Sequence, residues 1–156
     1  MRTKYEILIK LLFPKYSQPS ESRFINSFSY LNNKKNSNKN QSSFSISFEK
    51  IEKGEDKRTS IIIKNLPNSI NKEYINQMLV GVGNINYLYL PFDKYNNRNL
   101  GFAFINVVNY RSIIKLHNRL KDYKFENIDI KKQIEICYSK IQGKNELSKM
   151  FKKKKN

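Results

Sequence analysis

The hydrophobic pattern of the chain becomes regular near Arg58. Four segments beyond that point hold a β-branched run or alternate with period two, and they predict strands: Thr59–Leu66, Ile85–Leu90, Leu100–Val107 and Gln133–Lys140. Three segments with apolar residues at helical spacing predict helices: Asn71 to about Val80, Tyr110–Leu120, and a shorter one from about Lys144. Strands and helices therefore alternate within a single periodic region.

The order of these elements predicts the fold class. Strand, helix, strand, strand, helix, strand is the order of the α+β, ferredoxin-like split βαβ fold, in which a four-stranded antiparallel sheet carries two helices on one face. The third predicted helix then follows as a C-terminal addition. In this topology the first and third strands are central. Period two turns one set of their side chains towards the helices: Ile61, Ile63, Gly101, Ala103, Ile105 and Val107.

The region before Arg58 lacks a sustained period. From Ser17 to Ser47 it is rich in Ser and Asn, and such a tract buries too little apolar surface to offset chain entropy. We therefore predict a disordered Asn/Ser/Lys-rich tail over 1–57 and one folded domain over 58–143. A C-terminal helix with a lysine-rich tail is predicted over 144–156.

Charge and cysteine content narrow the choice of partner. Lys and Arg number 30 against 13 Asp and Glu, which gives a formal net charge of +17. This excess favours a polyanion, with nucleic acid ahead of an anionic membrane. The apolar runs are too short to span a bilayer, and we expect no membrane partner. The single cysteine, Cys137, excludes an intrachain disulfide and points to a reducing compartment.

The sheet face opposite the two helices carries aromatic residues. Period two places six side chains of the central strands there: Ile62, Lys64, Leu100, Phe102, Phe104 and Asn106. Tyr87 and Tyr89 join them if Leu88 and Leu90 enter the core. Such a face either is open and stacks bases or is covered by the C-terminal helix as ordinary core. Three basic side chains lie where they could contact a phosphate backbone: Lys64, Arg98 and Lys140.

Two segments on the central strands resemble the RNA recognition motif. Leu100–Val107 is similar to its octapeptide signature, and Ile61–Leu66 resembles the paired six-residue box. Four collinear blocks resemble a narrower group, the C-terminal RNA recognition motif of the mei-two-like (meiosis-regulator) family: residues 65–68, 87–93, 99–106 and 137–144. Two positions depart from the general motif, because Ile62 stands where many such domains have an aromatic residue and Leu100 where they have Lys or Arg.

The resemblance implies selective binding of single-stranded RNA in meiotic or developmental regulation. Phe102 and Phe104 are then the expected stacking residues, with Asn106 beside them. The full predicted RNA-binding set is Phe102, Phe104, Asn106, Ile62, Lys64, Tyr87, Tyr89, Arg98, Lys140 and Gln142. A nuclear location is favoured over a cytoplasmic one.

We expect no catalytic role, cofactor or metal. His117 and Cys137 lack the neighbouring acid, base or ligand residues that catalysis or metal binding requires. The alternative function is a protein-interaction module of the same fold with little RNA binding. A protein partner could be contacted through the N-terminal tail or the C-terminal helix.

Overall fold

The computed structural model describes residues 43–129 and 132–152, and it contains four helices and six strands within them. The helices are α1 (Phe48–Glu52), α2 (Lys72–Met78), α3 (Ser112–Lys121) and α4 (Lys144–Phe151). The strands are β1 (Ser60–Lys64), β2 (Ile85–Tyr89), β3 (Phe92–Asp93), β4 (Arg98–Asn99), β5 (Phe102–Val107) and β6 (Glu135–Tyr138). Residues 1–42 and 153–156, on which part of the tail predictions falls, lie outside the described residues.

Four strands form one antiparallel sheet in the order β2-β5-β1-β6. The two central strands, β5 and β1, pair so that Ile61 lies opposite Ile105 and Ile62 lies opposite Phe104. β3 and β4 form a separate two-stranded hairpin between β2 and β5. The ferredoxin-like α+β fold predicted from the pattern is confirmed, including the identity of the central strands.

The main core lies between this sheet and helices α2 and α3. The predicted helix-facing residues Ile61, Ile63 and Ile105 are fully buried there. The helices contribute their apolar faces to the same cluster: Ile75, Met78, Ile113, Leu116 and Leu120. Asn71 caps α2 as its position predicts, because its side-chain oxygen accepts a hydrogen bond from the Tyr74 backbone N–H at 2.9 Å.

The expectation of a disordered tail up to residue 57 is wrong for its last part. α1 begins after Ser47, whose hydroxyl accepts from the Lys50 backbone N–H, and its Ile51 is 0 % exposed within the main core. The Phe48 ring contacts His117 of α3 edge to face at 5.0 Å. The Tyr138 N–H donates to the Phe44 carbonyl at 2.8 Å, which ties this segment to β6. The segment from Phe44 to Glu52 is therefore part of the folded unit, because one buried isoleucine and these contacts hold it.

A charged pair fastens the connection from α1 to β1. The Arg58 guanidinium donates to the Asp56 carboxylate at 2.7 Å and lies 3.9 Å from the centre of the Tyr138 ring. The hydrogen bond from Arg58 holds the pKa of Asp56 below its usual range. Burial raises the pKa of Tyr138 to about 12. Arg58 therefore packs on Tyr138, the last residue of β6, and links the α1–β1 connection to that strand.

Candidate nucleic-acid interface

The strand register brings the predicted aromatic set together on the face opposite α2 and α3. Lys64 pairs with Phe102 and Ile62 pairs with Phe104 across the two central strands. On the other side of β5, Tyr89 lies opposite Phe104. Phe102 and Phe104 contact each other edge to face, with ring centres 6.0 Å apart. The sheet thus presents one continuous aromatic surface.

Helix α4 covers this surface. The Phe151 ring stacks on Tyr89 at 4.1 Å with an interplanar angle of 13°, and it lies 4.8 Å from Phe104 at 46°. Leu147 is fully buried, and the Tyr87 hydroxyl donates to its carbonyl at 3.4 Å. Phe102 and Phe104 are each 2 % exposed. The sequence left two alternatives, an open face and a face covered by the C-terminal helix, and this conformation has the covered one.

Burial under α4 also changes the chemistry of the two tyrosines. Burial raises the pKa of Tyr89 above its usual value, and the pKa of Tyr87 rises for the same reason. Both phenols are therefore neutral under ordinary conditions, and their rings act as apolar surface with one polar end.

Gln142 fixes the segment that leads into α4. Its Oε1 accepts from the backbone N–H groups of Thr59 and Ser60, both at 3.0 Å. Its Nε2 donates to the carbonyl oxygens of Ser60 at 2.8 Å and Ser139 at 2.7 Å. These four hydrogen bonds to the backbone use all the donor and acceptor positions of the Gln142 side-chain amide. The predicted RNA contact through Gln142 is therefore not available in this conformation.

Asn106 belongs to the same network. Its Oδ1 accepts from the hydroxyls of Ser60 at 2.7 Å and Thr59 at 2.8 Å, while its Nδ2 donates to Asn86 Oδ1 at 2.7 Å. The Gly143 N–H donates to the Ser60 hydroxyl at 2.8 Å. Asn106 thus connects β5 to the start of α4 and is buried among protein partners, instead of facing a ligand.

The three predicted cations lie in different places. Lys64 is on the aromatic face, where its Nζ is 3.7 Å from a Glu135 carboxylate oxygen. Lys140 is exposed just after β6. Arg98 lies on β4, outside the four-stranded sheet. The structure therefore joins Lys64 to the aromatic set and places Arg98 on the hairpin.

The β3–β4 hairpin carries aromatic residues that the sequence interpretation did not select. Tyr95 is 100 % exposed at its tip and Phe92 is 42 % exposed at its base. Lys94 is also exposed, and Arg98 is half-buried. The signal was present in the sequence, because two aromatic and two basic residues lie in the segment from Phe92 to Arg98, but of these only Arg98 was selected.

Residues that suggested other chemistry have packing roles. His117 is packed by Phe48, and burial lowers its pKa. Burial likewise raises the pKa of the Cys137 thiol. Across residues 43–129 and 132–152, no three His, Cys, Asp or Glu side chains are grouped so that they could hold a metal ion. Nor does that part of the chain contain a helix with the length and hydrophobicity needed to cross a bilayer.

Solved structures similar to this chain include RNA recognition motifs. The chain matches the structure of the Rna15 RRM with a TM-score of 0.46 and 21 % identity, covering 54 % of this chain and 92 % of that one. It also matches Sex-lethal RNA recognition domains 1 and 2 from Drosophila melanogaster, with a TM-score of 0.44 and 19 % identity, covering 51 % and 48 %.

Relatives with higher identity are MEI2-like proteins. Protein MEI2-like 5 of Arabidopsis thaliana is 37 % identical over 125 residues, which is 76 % of this chain and 15 % of the relative. Protein MEI2-like 4 of Oryza sativa subsp. japonica is 33 % identical over 122 residues, or 74 % of this chain and 12 % of the relative. The chain thus spans about one eighth to one seventh of the length of these relatives.

The family model described as RNA recognition motif 2 matches residues 58–152, a range that extends from Arg58 through the whole of α4. This range includes both central strands and the helix that covers them. The resemblance to mei-two-like proteins is confirmed, and this similarity supports the assignment of the chain as an RNA-binding protein. The chain belongs to the RNA recognition motif 2 family.

Proposed function

We propose that the chain binds single-stranded RNA on the face formed by β2, β5 and β1, and that α4 leaves this face when RNA binds. The observation that carries the proposal is the position of Phe151, whose ring lies nearly parallel to Tyr89 at 4.1 Å. A planar group held in this way has the geometry of a base on an aromatic platform. Family membership supports the same ligand class.

The proposed mechanism is non-catalytic and exchanges one planar group for another. Bases stack on Phe102, Phe104 and Tyr89 once Phe151 has left, at about 1–3 kcal/mol per base. Phosphates are met by Lys64 and Lys140 at the border of the sheet. The formal net charge of +17 supports this role, because it favours the approach of any polyanion.

The backbone before α4 is suited to such an exchange. Three of the four hydrogen bonds of Gln142 hold it to Thr59 and Ser60 at the start of β1, and the fourth is to Ser139. The next residue, Gly143, has a φ of 94° and no atom within 4 Å of a Cβ built on it. Glycine adopts other backbone conformations at little cost. We therefore place the pivot at Gly143, so that α4 swings while the connection to β6 stays fixed.

The test is a comparison of two variants that each lose buried aromatic rings. Phe102→Ala combined with Phe104→Ala removes the platform, whereas Phe125→Ala removes a buried ring in the main core on the opposite side of the sheet. Binding of a pool of short single-stranded RNAs is measured by fluorescence anisotropy over a range of salt concentrations. The double variant should lose affinity, and the Phe125 variant should keep it at temperatures where both are folded.

Salt dependence adds a second measurement. The logarithm of the association constant should fall by about 0.7 per logarithmic unit of salt for each phosphate contacted. Equal affinity of the platform variant and the unchanged chain would contradict the proposal.

The structure also favours a second candidate, a protein-interaction module of the same fold. In the described conformation the aromatic face is covered, and the amides of Asn106 and Gln142 are engaged within the protein. Ile62 and Leu100 at positions where the general motif has an aromatic and a basic residue also support this candidate. It predicts weak RNA binding that does not change when Phe151 or Phe102 is replaced.

The biological role follows from the resemblance. We propose a part in meiotic or developmental RNA regulation, with the nucleus favoured over the cytoplasm, on the basis of identity to MEI2-like proteins that are much longer than this chain. Crosslinking of RNA to the chain in cells, followed by sequencing, identifies the bound transcripts. Bound transcripts unrelated to meiosis or development would contradict the proposed role. Imaging of the tagged chain tests the proposed nuclear location.

A further inference from the structure

We infer that the surface of α3 and β6 that holds α1 is a docking site for short helical segments, and that Phe24–Leu31 of this chain is its second occupant. The observation that carries the inference is a repeat in the sequence. The docked segment, Phe44–Ile51, has a counterpart twenty positions earlier, the upstream segment Phe24–Leu31. The upstream segment lies outside the described residues, and only its sequence is compared.

The two segments follow one pattern, Phe-x-x-Ser-Phe-x-x-Leu/Ile. Residues 24–31 read FINSFSYL and residues 44–51 read FSISFEKI. Both have Phe at the first and fifth positions, Ser at the fourth and an aliphatic residue at the eighth. Serine is a preferred N-cap residue, and a residue four positions after the cap lies about one turn into the helix. The pattern therefore describes a capped helical turn with two apolar side chains.

The first and fourth positions of the docked segment supply hydrogen bonds. The Phe44 carbonyl accepts from the Tyr138 N–H of β6 at 2.8 Å. The Ser47 hydroxyl accepts from the Lys50 backbone N–H at 3.5 Å and caps α1. The first contact uses only main-chain atoms and the second requires only a serine at the cap. The upstream segment has what both contacts need.

The fifth and eighth positions supply apolar contacts. The Phe48 ring packs edge to face on His117 of α3, with ring centres 5.0 Å apart. Ile51 is fully buried in the main core. The upstream segment has the same ring at Phe28, and its Leu31 has the volume of isoleucine, a replacement that cores tolerate with repacking. The repeat thus preserves the side chains that hold α1.

The positions that differ explain why the docked segment occupies the site in the structure. Three of them are exposed: Ser45, Glu49 and Lys50. The fourth, Ile46, is half-buried against the main core, and the upstream segment has Asn26 in its place. Docking of the upstream segment also closes a loop of about twenty residues, which disfavours that state about 100-fold through chain entropy.

Exchange of one segment for the other requires only local opening. α1 has five residues, and an isolated helix of this length is unstable in water. The range matched by the family model begins at Arg58, beyond α1. Short peripheral elements open at a lower cost in free energy than the central strands of a sheet.

The single histidine of the chain, His117, reports on the site. Its NMR signals respond to a ring packed on it, and burial lowers its pKa in the docked state. In the full chain with Ile51→Asp, the carboxylate excludes α1 from the core, so the upstream segment should fill the site and the pKa of His117 should stay lowered. Adding Leu31→Asp should raise that pKa towards 6.5. Adding Leu12→Asp, which replaces an apolar residue outside the repeat, should leave it lowered.

A double-mutant cycle by denaturant titration gives a second readout with milder substitutions. Leu31→Ala should not move the unfolding midpoint of the unchanged chain, because the upstream segment is docked in about 1 % of molecules. In an Ile51→Ala background it should lower the midpoint, because the upstream segment then holds the site in a large share of molecules. Equal effects of Leu31→Ala in both backgrounds overturn the inference. So does a pKa of His117 that is the same in Ile51→Asp with and without Leu31→Asp.

The outcomes are separate from those of the proposed function. Neither measurement involves RNA, and Ile51 lies in the main core, on the side of the sheet opposite Phe104. If Leu31 is uncoupled from the site while the Phe102 and Phe104 double variant loses RNA affinity, only the inference fails. If Leu31 is coupled and that double variant binds RNA like the unchanged chain, only the proposed function fails.

Discussion

Replacing Phe151 with alanine tests whether α4 competes with RNA. The substitution removes a ring that is 7 % exposed and makes contacts with Tyr89 and Phe104. Burial of a phenylalanine side chain contributes about 1.5–3 kcal/mol, and each aromatic pair adds about 0.5–1.5 kcal/mol. The covered state should therefore lose about 3 kcal/mol or more, in line with the cost of about 3–5 kcal/mol for Phe→Ala in cores.

The expected result is tighter RNA binding. The apparent dissociation constant equals the intrinsic one divided by the fraction of molecules in which the face is open. Ordering the residues of α4 costs conformational entropy, so the net free energy of covering is smaller than the contact energy that Phe151 supplies. We expect a gain in affinity of about 5- to 100-fold, limited by the open fraction of the unchanged chain.

The assay is fluorescence anisotropy at fixed salt, combined with hydrogen exchange of the α4 amides. Met150→Ala serves as the control, because it shortens a half-buried side chain on the same helix. The Phe151 variant should show faster exchange in α4 together with higher affinity. Reduced affinity would mean that Phe151 itself contacts RNA, and unchanged affinity would mean that the sheet is not the binding face; either result refutes the competition argument.

Three further predictions concern stability. Gln142→Ala leaves the N–H groups of Thr59 and Ser60 without their acceptor and should lower the free energy of unfolding by about 1–3 kcal/mol, as measured by denaturant titration. Ile51→Ala should cost about 2–5 kcal/mol in the same assay, whereas a disordered tail predicts no change. Burial raises the pKa of Tyr138 to about 12 in the folded chain, against 10.0 for the free group. Its contribution to the free energy of unfolding is therefore complete below pH 10 and falls as the pH rises from 10 to 12. Tyr138→Phe should flatten that part of the curve of unfolding free energy against pH.

Elements with strong local patterns were predictable from the sequence. The β-branched run around Ile62 and the alternation from Leu100 to Val107 each define a strand by themselves. Because the side-chain period of a strand is two, the assignment of Ile61 and Ile105 to one face and Phe104 to the other also follows. The order of the elements then leaves few topologies to consider.

α1 was missed because its signal is short and lies in a polar tract. Phe48–Glu52 is only five residues long and contributes one fully buried side chain, Ile51. A five-residue segment is too short to show helical periodicity, and an isolated helix of this length is unstable in water. Its order depends on tertiary contacts such as that between Phe48 and His117.

The residues that share the sheet face opposite α2 and α3 were predictable, but the covering of that face by α4 was not. The amphipathic pattern of Leu147, Met150 and Phe151 predicted a helix, yet a local pattern does not specify which surface receives it. Gln142 and Asn106 were likewise selected as polar residues near the face. Their partners are 82 and 46 positions away in the sequence, at Ser60, and only the folded chain shows such pairings.

The stacking of Phe151 on Tyr89 has a consequence for the heat capacity of RNA binding. A module with an open face buries apolar surface when bases dock, and its heat-capacity change on binding is negative. In the proposed mechanism the departure of α4 returns Leu147 and Phe151 to water at the same step, which contributes a positive change. The two contributions oppose each other, so the binding enthalpy should vary little with temperature in the unchanged chain and more steeply once Phe151 is replaced.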